Sequence, residues 1–230
     1  MIKETRILLV YVWELPVRIF HWINALSVMV LIVTGLIIGN PPAILTSQEA
    51  YMGYWFGWVR FLHFSAAYIF FFIWIYRLFW SFMGNADSSW RCYLPFTKAH
   101  WMKAWEAFKT DIIQINDKPV FSTGHNHMAL TVYFLLFLVS LFQMLTGFAM
   151  YAAMSDWWVA DFFTWILPIM ESEGSLRYWH HLSMWFFILF LIVHLYLIFH
   201  HDYVERKGVL SSIIGGWKFI TDATPPEEKP

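Results

Sequence analysis

Long apolar runs alternate with shorter polar ones along this chain, and the alternation predicts four membrane-crossing helices. Residues 20–38, 61–82, 128–151 and 180–200 are each apolar for long enough to cross a hydrocarbon core of roughly 30 Å at about 1.5 Å per residue. The first run stops at Gly39-Asn40-Pro41-Pro42 and the second at Gly84-Asn85, both poor continuations of a helix. Residues 43–60 form a short aromatic connection, and 85–127 a longer polar one. Within the latter, 97–114 has helical periodicity with Trp101, Trp105 and Phe108 on one side, which predicts a helix lying in the interface. The connection 152–176 sets Trp157, Trp158, Phe162, Phe163 and Trp165 beside Asp156 and Asp161, and predicts a second surface helix. Residues 1–17 are mixed and polar enough to lie outside the bilayer. The tail 203–230 is polar and proline-rich at its end.

Charge decides the orientation. Of the 15 Lys and Arg residues, thirteen fall in the N-terminus, the 85–127 side and the tail, counting Arg77 with that side. Only Arg60 and Arg177 belong to the other two connections. The positive-inside rule then puts both termini in the cytoplasm, in agreement with an even number of spans. The N-terminus is short, charged and runs straight into a full-length span, so no cleavable signal is expected.

Composition narrows the classes further. With 59% hydrophobic and 13% charged residues the chain is no soluble globular protein, and 21% aromatics suit interfacial belts and packing around a large ring. A net charge of -1 and the lack of any basic, aromatic-interleaved run argue against nucleic acid. The single cysteine, Cys92, excludes a disulfide framework, a four-cysteine iron–sulfur cluster and covalent c-type haem.

Histidines carry the chemistry. His180 and His194 lie fourteen residues apart in a segment with no charged residue between His180 and Phe199. On a helix they share a face to within about 40° and stand about 21 Å apart along the axis. Ionisable groups inside a membrane are expensive and mark function. Topology adds two partners: His63, which opens the second span on the outer side with His180, and His21, which opens the first on the cytoplasmic side with His194. Facing pairs of neutral imidazoles are what a bis-histidine haem iron needs, and helical bundles build such sites from facing helices. Zinc wants a third or fourth ligand, and each level supplies only two. His201 shares the His194 face about 10 Å further along, beyond the expected membrane edge, and is the second choice for the inner level. His181 points about 100° off the cofactor face, and His100 and His200 are expected to face solvent.

Two further features fit a macrocycle. Thr34-Gly35 and Thr146-Gly147 fall at the outer level, where Gly35 and Gly147 leave room for a ring to approach the backbone; ordinary small-residue helix packing explains Gly147 equally well. Arg18, Arg60 and Arg177 each stand three residues before His21, His63 and His180. That spacing puts each guanidinium on the histidine's face, one turn nearer water, where it can hold a haem propionate with paired hydrogen bonds. Arg77, fourteen residues after His63, suits the inner haem in the same way.

Arg18-Ile19-Phe20-His21-Trp22-Ile23, continuing to Thr34-Gly35, resembles the first motif of the b-type cytochrome subunit of membrane-bound nickel–iron hydrogenases. Arg177-Tyr178-Trp179-His180-His181-Leu182, with Trp185, Phe190 and His194, resembles that family's second motif, and Gly124-His125-Asn126 is also similar. The likeness covers essentially the whole chain. More distantly, the chain resembles the cytochrome subunit of membrane formate dehydrogenases.

The expected fold is therefore an all-α membrane protein: one domain, 1–230, a four-transmembrane-helix bundle holding two b haems, with short interfacial helices. The resemblance implies an anchor and electron-transfer subunit in the bacterial inner membrane. It would take electrons from the iron–sulfur subunit of a periplasmic hydrogenase, itself paired with a large subunit, and pass them through two haems to quinone. Hydrogen cleavage would not be its own. His125 and Asn126, at the cytoplasmic start of the third span, are candidates for the quinone site, since quinone reduction needs a proton relay and a carbonyl partner; a helix N-cap explains them equally well. The competing functions are a di-haem anchor for another oxidoreductase, such as formate dehydrogenase, and a small transporter with histidines lining its path. The spans lack Asp, Glu and Lys, which counts against the transporter.

Overall fold

Strand β1 (Ile7–Tyr11) leads into helix α1 (Leu15–Gly39), and α2 (Trp55–Met83) follows the first connection. Two shorter helices, α3 (Trp90–Tyr93) and α4 (Lys98–Asp111), precede α5 (His127–Ala152). Single turns α6 (Trp158–Asp161) and α7 (Ile166–Ile169) lead to α8 (Glu173–Glu205), and the chain closes on α9 (Val209–Gly215) and β2 (Trp217–Thr221). This computed structural model describes residues 7–42, 54–85, 88–95, 97–113, 127–156, 158–205 and 208–221.

Helices α1, α2, α5 and α8 are long and apolar enough to cross a membrane, matching the four expected spans. They start earlier than the apolar runs: α2 six residues before Phe61 and α8 seven before His180. Hydropathy marks only the stretch that must avoid water, whereas backbone hydrogen bonding carries a helix on until a breaker stops it. Arg60 and Arg177 therefore stand on helix proper. Pro16 sits in the first turn of α1, where its missing N–H costs nothing.

Expectations for one connection and for the chain ends need correction. The connection 152–176 is not one surface helix but the two turns α6 and α7. Glu171 there takes a left-handed conformation (φ 65°), which ends the helical run before α8. The ends of the chain also hold a small sheet that polarity alone did not suggest. Strands β1 and β2 pair antiparallel, from Ile7 opposite Thr221 to Tyr11 opposite Trp217.

Residue contacts divide the chain into two compact units. The first comprises Met1–His21, Tyr76–Leu136 and Ile192–Pro230. Its sheet is tied down by Gly216, whose carbonyl accepts from Val12 N at 2.9 Å and Trp13 N at 3.1 Å. Gly216 has φ 89°, and a Cβ there would lie 2.8 Å from Trp13 O, so only glycine fits. Val12, Trp13 and Val17 form a buried cluster against Trp80 and Ile213. Glu14 Oε2 accepts from Trp80 Nε1 and Asn85 N, each at 3.0 Å, and binds the start of α1 to the end of α2.

His100 belongs to this unit and does not face solvent: it is 7% exposed, with Nε2 2.8 Å from Thr131 Oγ1 and its ring centre 5.1 Å from that of His127. Desolvation by this burial holds its pKa below the ordinary imidazole value. Helix α4 turns His100, Ala104 and Ala107 inward and leaves Trp101 and Trp105 exposed. Its range agrees with the periodicity, but its aromatic stripe is the outer face.

The second unit comprises Trp22–Ile75 and Phe137–Leu191. Ala149, Ile166 and Leu176 are buried together, with Leu145, Phe163 and Met170 against them. Phe148 stacks on Phe163 at 5.0 Å and meets Phe71 edge-on at 5.2 Å.

Candidate functional site

In the second unit, helices α1, α2, α5 and α8 enclose a cavity of about 550 Å³, within the range that holds cofactors and drug-sized ligands. His63 and His180 both line it, as do Gly35, Gly147, Arg60 and Arg177. The outer-level histidines, glycines and arginines therefore reach one chamber, whereas Thr34 and Thr146 stand behind its wall against the histidines. The wall is mainly apolar, with Phe64, Phe148 and Phe187 among its residues, as a hydrophobic macrocycle requires.

Each histidine is held from the neighbouring helix. Thr34 Oγ1 lies 2.8 Å from His63 Nδ1, and Thr146 Oγ1 lies 2.8 Å from His180 Nδ1. Gln143 Nε2 donates to His180 O at 3.0 Å, so α5 grips both the peptide and the ring of that residue. The glycine after each threonine faces the same ring, and only the second is tight. A Cβ on Gly35 would stand 3.6 Å from His63 Cε1, and one on Gly147 only 3.2 Å from His180 Cε1. The atom that Gly147 clears belongs to the His180 imidazole, so close packing of that side chain accounts for the glycine.

The threonines were legible only as small residues near the ring; their contact with the histidines was not. His181 is a second miss. It lines the same cavity, and its imidazole is pressed so closely on Gly39 that a Cβ there would overlap it. A rotation of about 100° per residue separates it from His180 on an ideal helix, yet a long side chain and a glycine opposite bring it back to the chamber.

The first unit brings His21 and His194 together with ring centres 6.4 Å apart and planes inclined by 46°. A metal–imidazole bond is about 2 Å and the bonding nitrogen stands about 1 Å from the ring centre, so two imidazoles on opposite sides of one metal place their centres about 6 Å apart. The observed separation is one that two imidazoles could have if they held one metal, and it is too wide for direct stacking. His200 is half-buried and stacks on Tyr196 at 5.7 Å rather than facing solvent, and His201 is half-buried next to it.

The arginines divide. Arg60 lies over the Phe64 ring at 5.8 Å and Arg177 is exposed, both at the cavity wall. Arg18 donates to Ile214 O in the last turn of α9, a favourable place for a cation. Its Nε is buried with no hydrogen-bond partner among the described residues, a donor that an anionic group would satisfy. Arg77 donates to Ser88 O at 3.1 Å and lies over Phe20 at 5.9 Å. His125 and Asn126 lie outside the described residues.

A family model described as prokaryotic cytochrome b561 matches residues 12–216. The chain is 39% identical to the probable Ni/Fe-hydrogenase B-type cytochrome subunit of Cupriavidus necator, over 92% of this chain and 88% of that protein. It is 36% identical to the protein of the same description from Azotobacter vinelandii, over 94% and 91% respectively. With the probable Ni/Fe-hydrogenase 1 B-type cytochrome subunit of Escherichia coli it shares 32% identity over 94% and 93%.

Proposed function

The chain belongs to the prokaryotic cytochrome b561 family, and on that premise we propose that it anchors a nickel–iron hydrogenase in the inner membrane and carries its electrons to quinone. Two b haems are held in this reading, one between His63 and His180 and one between His21 and His194. Haem b, when bound, supplies reversible one-electron redox chemistry. The observation that carries the reading is the spacing of His21 and His194, 6.4 Å between ring centres, matched to a shared metal. The chamber that receives His63 and His180 supports the second site, and the relatives' descriptions supply the hydrogenase.

The chain's own residues do three things here. The four imidazoles offer neutral nitrogen to iron. Apolar walls exclude water, which keeps the site's potential independent of bulk solvent. Arg60 and Arg177 stand at the wall where propionates would seek charge, and Arg18 and Arg77 play that part at the inner level. Hydrogen cleavage belongs to the partner subunits on the periplasmic face. His125 and Asn126 serve quinone on the cytoplasmic side.

The test is optical. The complex purified from membranes is expected to show a b-type α-band in its reduced-minus-oxidised spectrum, two haems per chain, and reduction of both by hydrogen. Added quinone reoxidises them, and His125→Ala with Asn126→Ala slows that step alone. A folded chain without the band would favour the transporter, and a co-purifying dehydrogenase of another kind would replace the hydrogenase. Unchanged quinone turnover would leave those two residues as a helix cap.

Orientation has its own test. An enzyme reporter active only outside the cytoplasm stays silent when fused after Pro230, because thirteen of 15 basic residues lie on the side of both termini. Activity from that fusion would invert the outer and inner levels.

A further inference from the structure

Two threonines outside the proposed iron-binding set occupy the same place relative to two different histidines. Thr34 on α1 meets His63 on α2, and Thr146 on α5 meets His180 on α8, each at 2.8 Å from Oγ1 to Nδ1. A glycine follows each threonine and faces the same ring. The device is built twice, on two pairs of helices, around one chamber.

The direction of both contacts follows from giving each hydroxyl hydrogen to the helix carbonyl beside it. A threonine hydroxyl has one hydrogen to give and two lone pairs to receive with. Thr34 Oγ1 spends its hydrogen on Val30 O at 2.6 Å, and Thr146 Oγ1 on Phe142 O at 2.8 Å. Each oxygen is left to accept, so the proton between Oγ1 and Nδ1 sits on the imidazole. That makes both rings Nδ1–H tautomers with the lone pair on Nε2. Thr34 is 5% exposed and Thr146 1%, so water does not compete for either bond. Back-bonding of threonine to the carbonyl four residues earlier is common in apolar helices; the second contact, to a histidine across the helix interface, is what sets these two apart.

We propose that Thr34 and Thr146 are positioning residues that lock His63 and His180 in the metal-binding tautomer and set the redox potential of the outer haem. The inference rests on the two-haem reading above and goes beyond it. An N–H···O bond at Nδ1 pushes electron density towards Nε2 and makes the imidazole a stronger donor. A stronger axial donor favours the oxidised metal, so the bonds hold the outer potential down. With the acceptor removed, the proton is no longer tied to Nδ1, and the Nε2–H tautomer, which cannot bind iron through Nε2, becomes accessible.

The experiment uses the full hydrogenase–cytochrome complex with Thr34→Val, Thr146→Val and the matching serine variants. Valine keeps the shape and deletes the acceptor; serine keeps the acceptor and deletes a methyl group. Haem content, a potentiometric titration followed in the α-band and low-temperature electron paramagnetic resonance are measured on each. Expected is an upward shift of one of the two midpoint potentials in both valine variants, with altered low-spin g-values for that component alone, and wild-type behaviour with serine. Both haems present with both potentials and all g-values unmoved in the valine variants would overturn the proposal. If valine expels the outer haem, serine decides: retention at the wild-type potential supports the hydrogen bond, and loss with serine as well assigns the threonines to packing. A wild-type complex lacking two b-type components would instead overturn the underlying reading, and this inference with it.

Discussion

On the two-haem reading, a His180→Ala chain is expected to purify with one b haem where the wild type is expected to have two, and a His194→Ala chain with only the other. The two histidines share α8 but face different partners: His180 lines the chamber with His63, and His194 meets His21 at 6.4 Å. Nothing covalent retains the cofactor, since Cys92 is the chain's one cysteine. Each haem would then be held through two imidazoles, and alanine removes one of them. Pyridine haemochrome content per chain gives the loss, and a potentiometric titration shows which component has gone. His201→Ala is expected to keep both, because the rings that face each other at metal-sharing distance are those of His21 and His194. Two low-spin bis-histidine haems in His194→Ala, with one lost in His201→Ala, would move the inner ligand to His201.

Neutralising Arg60 and Arg177 together is expected to weaken retention of the outer haem by about tenfold or more. These are the only two basic residues on the side that the positive-inside rule keeps poor in charge, and both reach the wall of the outer chamber. A charge-assisted bond is worth about 1.5–3 kcal/mol when shielded, but both side chains are exposed, so about 1 kcal/mol each is the appropriate scale after screening. Their sum corresponds to roughly thirtyfold in affinity at most. Lysine at both positions keeps the charge and loses the planar fork, so it should retain the haem with a shifted midpoint potential. Haem dissociation to an apo-protein acceptor measures the first effect and redox titration the second. Unaltered dissociation in the double glutamine variant would leave both arginines as interfacial anchors.

Most of the site was legible because its chemistry is costly in lipid. A histidine within an apolar run and an arginine on the wrong face each violate a local expectation, and His21, His63, His180, His194, Arg60 and Arg177 were singled out that way. His100 and His181 were misjudged for a different reason. Burial in a water-soluble helix follows from which face is apolar, but in a membrane the outer surface is apolar too. Trp101 and Trp105 are therefore an exposed stripe on α4 while His100 and two alanines turn inward. Ideal helical angles likewise placed His181 off the chamber, and the freedom of its side chain over Gly39 overruled them.

Length and hydropathy alone determined the four long helices, because a bilayer forces every spanning backbone group to be satisfied within its own segment. Spacing along α8 and the topology then paired the histidines by depth. Only the tertiary structure decided what holds them. Thr34 and His63, or Thr146 and His180, are 29 and 34 residues apart in sequence and meet across helix interfaces. A threonine in an apolar run reads the same whether its oxygen serves its own helix or a ring on the next. The small sheet of β1 and β2 was hidden for a similar reason: its partners lie at opposite ends of the chain. Pairing at that separation depends on where α1 and α9 deliver the strands, with Gly216 supplying a backbone turn no other residue fits.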